Sequence, residues 1–355
     1  MKNFLIKKLF VFFLIAVTVF SFTACAPKHD NAPTAKVILF IGDGMGENHI
    51  LNSELNWGEK TYFTSFEHKT YVDTASLSGV TDSAAAATAM ATGVRVKNDV
   101  LAIDISEPIT SITEIAKANE YGAGVVTSDL ITGATPAGFS AHAFSRNVSA
   151  DILLSQRYSP LDLLIGSGNY DIYQTFFEEE GFTWVNEFSE LKLRNKRYVA
   201  TFDDVMPTDN SDDVPNLTQL TEYAIKYMEK HHPNGYFLMI EGAKIDKASH
   251  SNDLQFMMEN LYDFSNAIKL ADEMLKKTGD NYSLIVTADH ETGKLDLATQ
   301  KSELTNDLYN SKNHTLTPVP LYFRSTLSEV PEILQKEIIL NTDIFFLCKY
   351  LLALN

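Results

Sequence analysis

Short, uninterrupted apolar runs that alternate with helical stretches constrain the fold of this chain more than any other feature. The runs lie at 36–41, 122–128, 162–168, 236–242, 282–289 and 318–323. Helical stretches are predicted at about 109–120, 171–180, 216–231 and 252–277. Continuous rather than alternating hydrophobicity is typical of strands that are covered on both faces. The pattern therefore predicts a three-layer α/β/α sandwich with a large, mainly parallel central sheet.

The first 35 residues are typical of an exported protein. Lys2, Lys7 and Lys8 precede an uncharged apolar stretch, and "SFTAC" ends at Cys25. The order of these features predicts a signal peptide, because the stretch is short for a membrane span. The segment resembles a bacterial lipoprotein signal with Cys25 as the lipid-bearing residue, while an ordinary signal with an incidental cysteine stays open. We therefore expect a signal at 1–24, a tether at 25–35, one catalytic domain at 36–355 and a membrane-anchored exported protein.

The charge and the cysteine content exclude some classes of protein. The net charge of the chain is −17, and removal of residues 1–24 takes away three lysines and no acid, which leaves −20. We therefore expect no nucleic acid as a partner. Only Cys348 remains besides Cys25, so the mature chain has no internal disulfide available. Stability has to come from the hydrophobic core.

Acidic and imidazole side chains follow several of the predicted strands. Asp43 lies between two glycines after the first run, and Asp289 and His290 follow the run at 282. Further candidates at strand boundaries are Glu241, Asp246, His250 and His314. Ligands collect at the carboxyl ends of strands in open α/β sheets, and carboxylates with imidazoles suit zinc. Carboxylates with hydroxyls suit magnesium, so the set predicts a multinuclear metal site.

The stretch "GVTDSAAAATAM" places one hydroxyl at the head of a plain, alanine-rich helix. Asp82 or Ser83 is a favoured N-cap, alanine is the strongest helix former, and Gly93 ends the run. Taken alone, the stretch is typical of a capped, closely packed helix with no chemistry. The other segments of the sequence have to decide whether this hydroxyl has a chemical role.

Six segments, taken together, closely resemble the alkaline phosphatase family, in the family's order. They are "VILFIGDGMG", "TDSAAAATAMATG", "GATPAGFSAHAFSR", "EGAKIDKASH", "TADHETG" and "NHTLTPVPLYF". Single segments are only moderately specific, but they cover most of the chain after the tether. The resemblance, to a short bacterial form with a lipoprotein signal, implies an alkaline-phosphatase-like sandwich. It also implies a metal-dependent enzyme that hydrolyses small-molecule phosphate monoesters through a phosphoserine.

Matched residue by residue, the resemblance implies a role for each candidate. Two zinc ions and one magnesium ion are expected, with Ser83 as the nucleophile. The first zinc would be held by Asp246, His250 and His314, the second by Asp43, Asp289 and His290, and the magnesium by Asp43, Thr135 and Glu241. Arg146 matches the arginine that grips the phosphate. Lys247 matches a lysine that, in many bacterial members, reaches the phosphate through water.

Two positions depart from the pattern of many bacterial members. Gly133 and Ser249 stand where those members carry aspartates, and the first of those acids orders water around the magnesium and links it to the lysine. We therefore expect weaker magnesium binding and altered turnover, with Gly133→Asp as the test. The chain is also shorter than many relatives, so the resemblance leaves a homodimer as an open expectation.

Two other classes of protein remain as alternatives. A phosphodiesterase or sulfatase of the same superfamily shares the two-metal platform, but the alanines after Ser83 do not match the Pro and Arg of a sulfatase motif. A non-catalytic surface lipoprotein that binds phosphate or metal is the second alternative. Loss of the nucleophile or of a metal ligand would favour it, and no such loss occurs in the sequence.

Overall fold

A ten-stranded sheet forms the centre of the protein. The computed structural model describes residues 35–194, 196–207 and 213–354. The described strands are β1 (Ala35–Gly42), β2 (His68–Asp73), β3 (Ile103–Asp104), β4 (Glu107–Pro108), β5 (Gly122–Leu130), β6 (Leu163–Ser167), β7 (Phe182–Val185), β8 (Arg197–Phe202), β9 (Gly235–Gly242), β10 (Tyr282–Thr287), β11 (Glu291–Thr292), β12 (His314–Thr315), β13 (Val319–Ser325) and β14 (Ile338–Leu340). Strands β3 and β4, and strands β11 and β12, form two small antiparallel pairs outside this sheet.

The order of the large sheet is β14-β2-β13-β10-β1-β9-β5-β6-β8-β7. Strand β13 is antiparallel to both of its neighbours, β10 and β2, and every other described pairing in this sheet is parallel. The prediction of a large, mainly parallel sheet is therefore confirmed. The central strands β10, β1, β9 and β5 are buried along nearly their whole length, which is why their sequences are continuously apolar.

Helices cover the sheet, and short 3₁₀ turns connect several elements. The described α-helices are α1 (Glu47–Trp57), α2 (Ser83–Thr92), α3 (Ile112–Ala118), α4 (Ala134–Gly138), α5 (Ser149–Arg157), α6 (Gln174–Glu179), α7 (Leu217–His231), α8 (Lys244–Ser251), α9 (Leu254–Thr278) and α10 (Asp343–Leu351). The described 3₁₀ turns are Tyr62–Ser65, Asp171–Tyr173, Phe188–Glu190, Lys301–Glu303, Asn306–Leu308 and Glu332–Gln335. Among the described helices, none is both long and apolar enough to cross a membrane.

Two groups of helices pack on opposite faces of the sheet. Helices α1, α7 and α8 pack on α9, while α3, α4 and α10 pack on α2. Phe264 of α9 contacts Phe40 of β1, and Phe139 at the end of α4 stacks on Phe237 of β9. Phe237 is paired in register with Val37, three residues from Phe40, so Phe40 and Phe237 point to opposite faces. The predicted three-layer sandwich is confirmed.

All six predicted apolar strands are present, and helices occur in all four predicted regions. The alanine-rich helix starts at Ser83, has Asp82 as its N-cap and ends at Gly93 in the left-handed conformation, with φ 75°. The signal peptide, Cys25 and all but the last residue of the tether lie outside the described residues. Those domain boundaries and the lipid attachment stay predictions.

Candidate metal centre and nucleophile

The site lies at the carboxyl ends of the central strands. Asp43 follows β1, Glu241 is near the end of β9, and Asp289 follows β10. These three strands are neighbours in the sheet, with β1 between the other two. Parallel strands end at one edge, so residues far apart in the sequence meet there.

Ser83 is the first residue of helix α2 and is buried. The side chain of Asp82 caps the helix by accepting a hydrogen bond from the Ala85 amide at 3.0 Å. This cap fixes the first turn, and the Ser83 hydroxyl oxygen lies 3.3 Å from Nε2 of His290. The predicted nucleophile, Ser83, therefore lies at the start of α2 and next to His290, one of the predicted metal ligands.

The first predicted set of ligands converges. Nε2 of His250 lies 3.0 Å from Nε2 of His314 and 3.2 Å from Oδ2 of Asp246. Nε2 of His314 lies 3.8 Å from Oδ1 of Asp246. Asp246 and His250 lie one turn apart on α8, and β12 supplies His314.

The second predicted set lies next to the first. Nε2 of His290 lies 3.1 Å from Oδ2 of Asp289 and 3.5 Å from Oδ1 of Asp43. The His290 ring also stacks on His314, with ring centroids 3.5 Å apart. One ligand atom each from Asp43, Asp289 and His290 lie within 4.8 Å of one another, and so do those of Asp246, His290 and His314. His290 therefore lies close to ligands of both predicted zinc sites, although the sequence predicted it for the second site only.

Backbone partners define the tautomers of two of the histidines. Nδ1 of His250 is 2.5 Å from the Lys312 carbonyl oxygen, and Nδ1 of His314 is 2.9 Å from that of Thr81. A carbonyl only accepts, so both Nδ1 atoms carry protons. In the neutral rings the Nε2 lone pairs then face each other at 3.0 Å, an arrangement that a cation bound between them stabilises.

His290 is oriented in the same way by a hydroxyl. Thr292 Oγ1 donates its proton to Oδ1 of Asp246 at 2.5 Å, so it accepts from Nδ1 of His290 at 3.2 Å. In the neutral ring, Nε2 of His290 is then an acceptor that faces carboxylate oxygens and the Ser83 hydroxyl. Thr292 lies in the matched segment "TADHETG" but was not among the predicted site residues.

The predicted magnesium ligands share one property. Asp43 Oδ1, Thr135 Oγ1 and Glu241 Oε1 are buried and have no hydrogen-bond partner among the described residues, as is also true of Asp289 Oδ2. Buried polar oxygens are normally satisfied. Three unpaired oxygens of the hard type that magnesium prefers fit a bound cation, and those residues would hold it.

The electrostatics of the cluster also favour cations. Burial raises the pKa of Asp43 well above its ordinary value, and the charges of Asp289, Asp246 and Glu241 raise it further. Burial also raises the pKa of Glu241 to about 8, with the Asp129 charge as the next cause. Bound cations would favour the ionised forms of Asp43 and Glu241.

Arg146 is held beside the nucleophile by two contacts. Its NH1 donates to Oδ2 of Asp82 at 3.2 Å, and its backbone amide donates to the Asp99 carbonyl at 2.8 Å. Asp82 also accepts from the Asp99 amide at 3.0 Å. One carboxylate thus caps the helix of Ser83 and orients the guanidinium.

Lys247 pairs with an acid that the sequence analysis missed. Its Nζ donates to Oδ1 of Asp129, which lies near the end of β5. The sequence feature that could have identified Asp129 is its position: it is an acidic residue near the end of a predicted strand, four positions before Gly133. Ser249 is buried away from this pair, because its hydroxyl donates to the Ile245 carbonyl and contacts His49.

Comparisons with known proteins agree with this geometry. The family model described as alkaline phosphatase matches residues 34–161 and 187–335. Alkaline phosphatase 3 of Bacillus subtilis is 35% identical over 285 residues, which cover 72% of this chain and 61% of that protein. The chain spans less than two thirds of the length of the first curated relatives that it matches.

Solved structures show the same likeness. The alkaline phosphatase from the Antarctic bacterium TAB5 has a TM-score of 0.79 and 28% identity, with 91% of this chain and 99% of that chain covered. A mutant of that TAB5 phosphatase, solved with Mg bound in its M3 site, has a TM-score of 0.78, the same identity and the same coverage. The fold and site define a metal-binding α/β protein with a serine at a helix start. The chain belongs to the alkaline phosphatase family.

Proposed function

We propose that this protein is a metal-dependent phosphatase that hydrolyses phosphate monoesters through a phosphoserine on Ser83. The observation that carries the proposal is the position of the Ser83 hydroxyl, 3.3 Å from His290 Nε2 and beside Arg146, at the start of helix α2. The family membership supports the same activity.

Three neighbouring groups of side chains support the proposed metal positions. We propose zinc between Asp246, His250 and His314, a second zinc between Asp43, Asp289 and His290, and magnesium between Asp43, Thr135 and Glu241. Bound divalent cations would lower the pKa of a hydroxyl or water and offset the charge of a phosphate group. A mutant of the TAB5 relative binds Mg in its M3 site, so a protein of this fold can hold magnesium.

The chain's own residues bind and orient the phosphate. The free amides at the start of α2 and the positive end of its dipole favour an anion next to Ser83. The Arg146 guanidinium can donate to two non-bridging oxygens at once, which fixes the phosphorus and stabilises charge in the transition state. A monoester leaves two such oxygens free even after a third contact, so this arrangement favours monoesters over diesters.

The reaction is a double displacement. Ser83 Oγ attacks phosphorus, the Oγ–P bond forms, and the P–O bond to the alcohol breaks. The proton that Ser83 loses is balanced by the one that the departing alcohol gains. Water then attacks the phosphoserine, inorganic phosphate leaves, and Ser83 regains its proton. Two in-line displacements retain the configuration at phosphorus.

Hydrolysis of p-nitrophenyl phosphate after metal removal tests this function. We expect activity to vanish with a chelator and to return with zinc and magnesium. Ser83→Ala should lower kcat by about a thousandfold or more. Ser149→Ala is the matched control, because Ser149 is the exposed first residue of α5. Activity on bis(p-nitrophenyl) phosphate alone would indicate the phosphodiesterase instead, and zinc binding without any hydrolysis would indicate a binding protein.

We also propose that the protein is exported and held at a membrane by a lipid on Cys25. The order of basic, apolar and small residues before Cys25 supports this proposal. Cys25→Ser should move the protein from the membrane fraction to the soluble fraction of the cells that produce it. A variant that stays in the membrane fraction would contradict the lipid anchor.

A further inference from the structure

The ion pair of Lys247 joins two elements at the edge of the site. Lys247 lies on α8, directly after Asp246 of the first ligand set. Its carboxylate partner, Asp129, is 118 positions earlier, near the end of β5. The lysine side chain is 48% exposed and the Asp129 side chain only 17%, so the acid lies deeper in the site than the lysine.

Asp129 is also connected to the unpaired oxygens. Its backbone amide donates to Thr127 Oγ1 at 2.8 Å, and that hydroxyl donates to Oε2 of Glu241. The other oxygen of Glu241, Oε1, has no partner among the described residues and belongs to the proposed magnesium set. One short chain of contacts therefore positions both the Asp129 backbone and the Glu241 carboxylate.

The Asp129 carboxylate fills the space beside Gly133. A Cβ at Gly133 would lie 2.6 Å from Oδ2 of Asp129 and 3.0 Å from the Leu130 carbonyl oxygen. The Gly133 backbone has φ −54°, which any residue adopts, so space rather than conformation requires glycine there. If Asp129 is present, the side chain of an aspartate at position 133 would therefore lie against the Asp129 carboxylate.

We propose that Asp129 is a positioning residue that restrains Lys247 and neutralises its charge, and that supports the magnesium position, while Gly133 makes room for it. This inference rests on the proposed function. It leads to the opposite result from the resemblance alone, which expects Gly133→Asp to strengthen magnesium binding. Here that single substitution sets two carboxylates against each other and should not raise the magnesium affinity.

Asp129→Asn tests the proposal, because it removes the charge and keeps the shape. Calorimetry on the zinc-reconstituted protein measures the binding of Mg²⁺, and of inorganic phosphate at saturating Mg²⁺. We expect magnesium to bind about 10- to 100-fold more weakly, as is usual when a residue that supports a metal site is lost. Phosphate should bind about tenfold more tightly, because the Lys247 ammonium is no longer neutralised. Asp151→Asn, at an exposed acid on α5, should change neither affinity.

The exchange of the two positions is the second test. The double variant Asp129→Ala with Gly133→Asp places one acid in the same space. Its magnesium affinity should return to within about threefold of the original, a smaller change than the loss of about 10- to 100-fold expected for Asp129→Asn. In a Lys247→Met background, Asp129→Asn should no longer tighten phosphate binding, since the cation it neutralises is absent.

Two results would overturn the proposal. One is unchanged binding of both ligands in Asp129→Asn. The other is a parallel loss of both affinities with a lower midpoint of thermal unfolding, which would make Asp129 a structural residue. Both readouts are binding measurements, so they separate this inference from the proposed activity. A protein that binds as expected but hydrolyses no ester would refute the function and leave the role of Asp129 intact.

Discussion

Asp82 connects three parts of the site through one carboxylate. It caps α2 at the Ala85 amide, accepts from the Asp99 amide, and accepts from NH1 of Arg146. The guanidinium is therefore held beside Ser83 before any phosphate binds. Preorganised donors of this kind need little rearrangement when charge develops in the transition state.

Arg146→Lys should therefore impair phosphate binding although it keeps the charge. A lysine lacks the planar pair of donors that can grip two phosphate oxygens. We expect kcat/KM for p-nitrophenyl phosphate to fall about 10- to 100-fold, the size of a lost charge-assisted hydrogen bond. Steady-state kinetics compare Arg146→Lys with Arg157→Lys, because Arg157 at the end of α5 forms ion pairs with Glu179 and Glu180 at the end of α6. Equal kcat/KM values in the two variants would contradict the assigned role.

The proposed metal ligands could be named from the sequence because each lies in a matched segment at a strand or helix end. The residues around them could not. Asp129 lies four residues before the matched segment "GATPAGFSAHAFSR" and therefore outside it. Its partner Lys247 is 118 positions away in the chain. The backbone carbonyls of Thr81 and Lys312, which orient two histidines, carry no side-chain signal at all.

At the scale of elements, the alanines of α2 are explained by contact with α4. All ten residues of α2 are buried, and a Cβ at Gly138 would lie 2.6 Å from the Ala87 Cβ. Larger side chains would push the helices apart. This packing holds the start of α2, and hence Ser83, at a fixed position relative to the sheet.

Gly138→Ala should destabilise the protein although alanine favours helices. The added methyl group overpacks the α2–α4 contact, which should cost about 1–3 kcal/mol of the free energy of unfolding. Urea unfolding measures the loss, and kcat should fall as Ser83 is displaced. The double variant with Ala87→Gly makes room for the new methyl group and should recover part of the loss. A double variant no more stable than Gly138→Ala would contradict this explanation.

The sequence pattern predicted the central strands better than the edges of the sheet. The six predicted strands include all four at the centre, β10, β1, β9 and β5, where burial on both faces produces continuous apolar runs. The missed strands β2, β7, β8 and β14 lie toward the two edges. The burial of β2 alternates in part along the strand, and β14 has only three residues, so neither produces a continuous run.

At the scale of the whole molecule, Asp272 ties α9 to both neighbouring strands on one side of the sheet. Its inaccessible carboxylate accepts from Tyr282 on β10 at 2.5 Å and from NH1 of Arg324 on β13 at 2.6 Å. The Tyr62 hydroxyl and Lys276 Nζ also donate to Oδ2 of Asp272, at 2.7 and 2.8 Å. Burial opposes ionisation here, but these donors outweigh it and lower the pKa of Asp272 below its ordinary value.

This cluster predicts how stability depends on pH. A carboxyl group whose pKa is lower in the folded than in the unfolded state stabilises the protein above the unfolded pKa of about 3.9, and the contribution is lost as pH falls through the folded value. Asp272→Asn should therefore lower the free energy of unfolding by about 3 kcal/mol at pH 7, because it leaves Arg324 without this partner. The difference from the original protein should shrink below about pH 4.

Urea unfolding between pH 7 and pH 3 measures this difference. Asp171→Asn, at an exposed acid, serves as the control. A difference between the original protein and Asp272→Asn that stays constant over this range would contradict the linkage.

The central claim is that Ser83 carries the phosphoryl group. The protein, reconstituted with zinc and magnesium, should be incubated with a phosphate monoester, quenched in acid and digested for peptide mass spectrometry. We expect one phosphoryl group on the peptide that contains Ser83, no label in Ser83→Ala and normal labelling in Ser149→Ala. Turnover that persists in Ser83→Ala, or a label on a residue other than Ser83, would contradict the account.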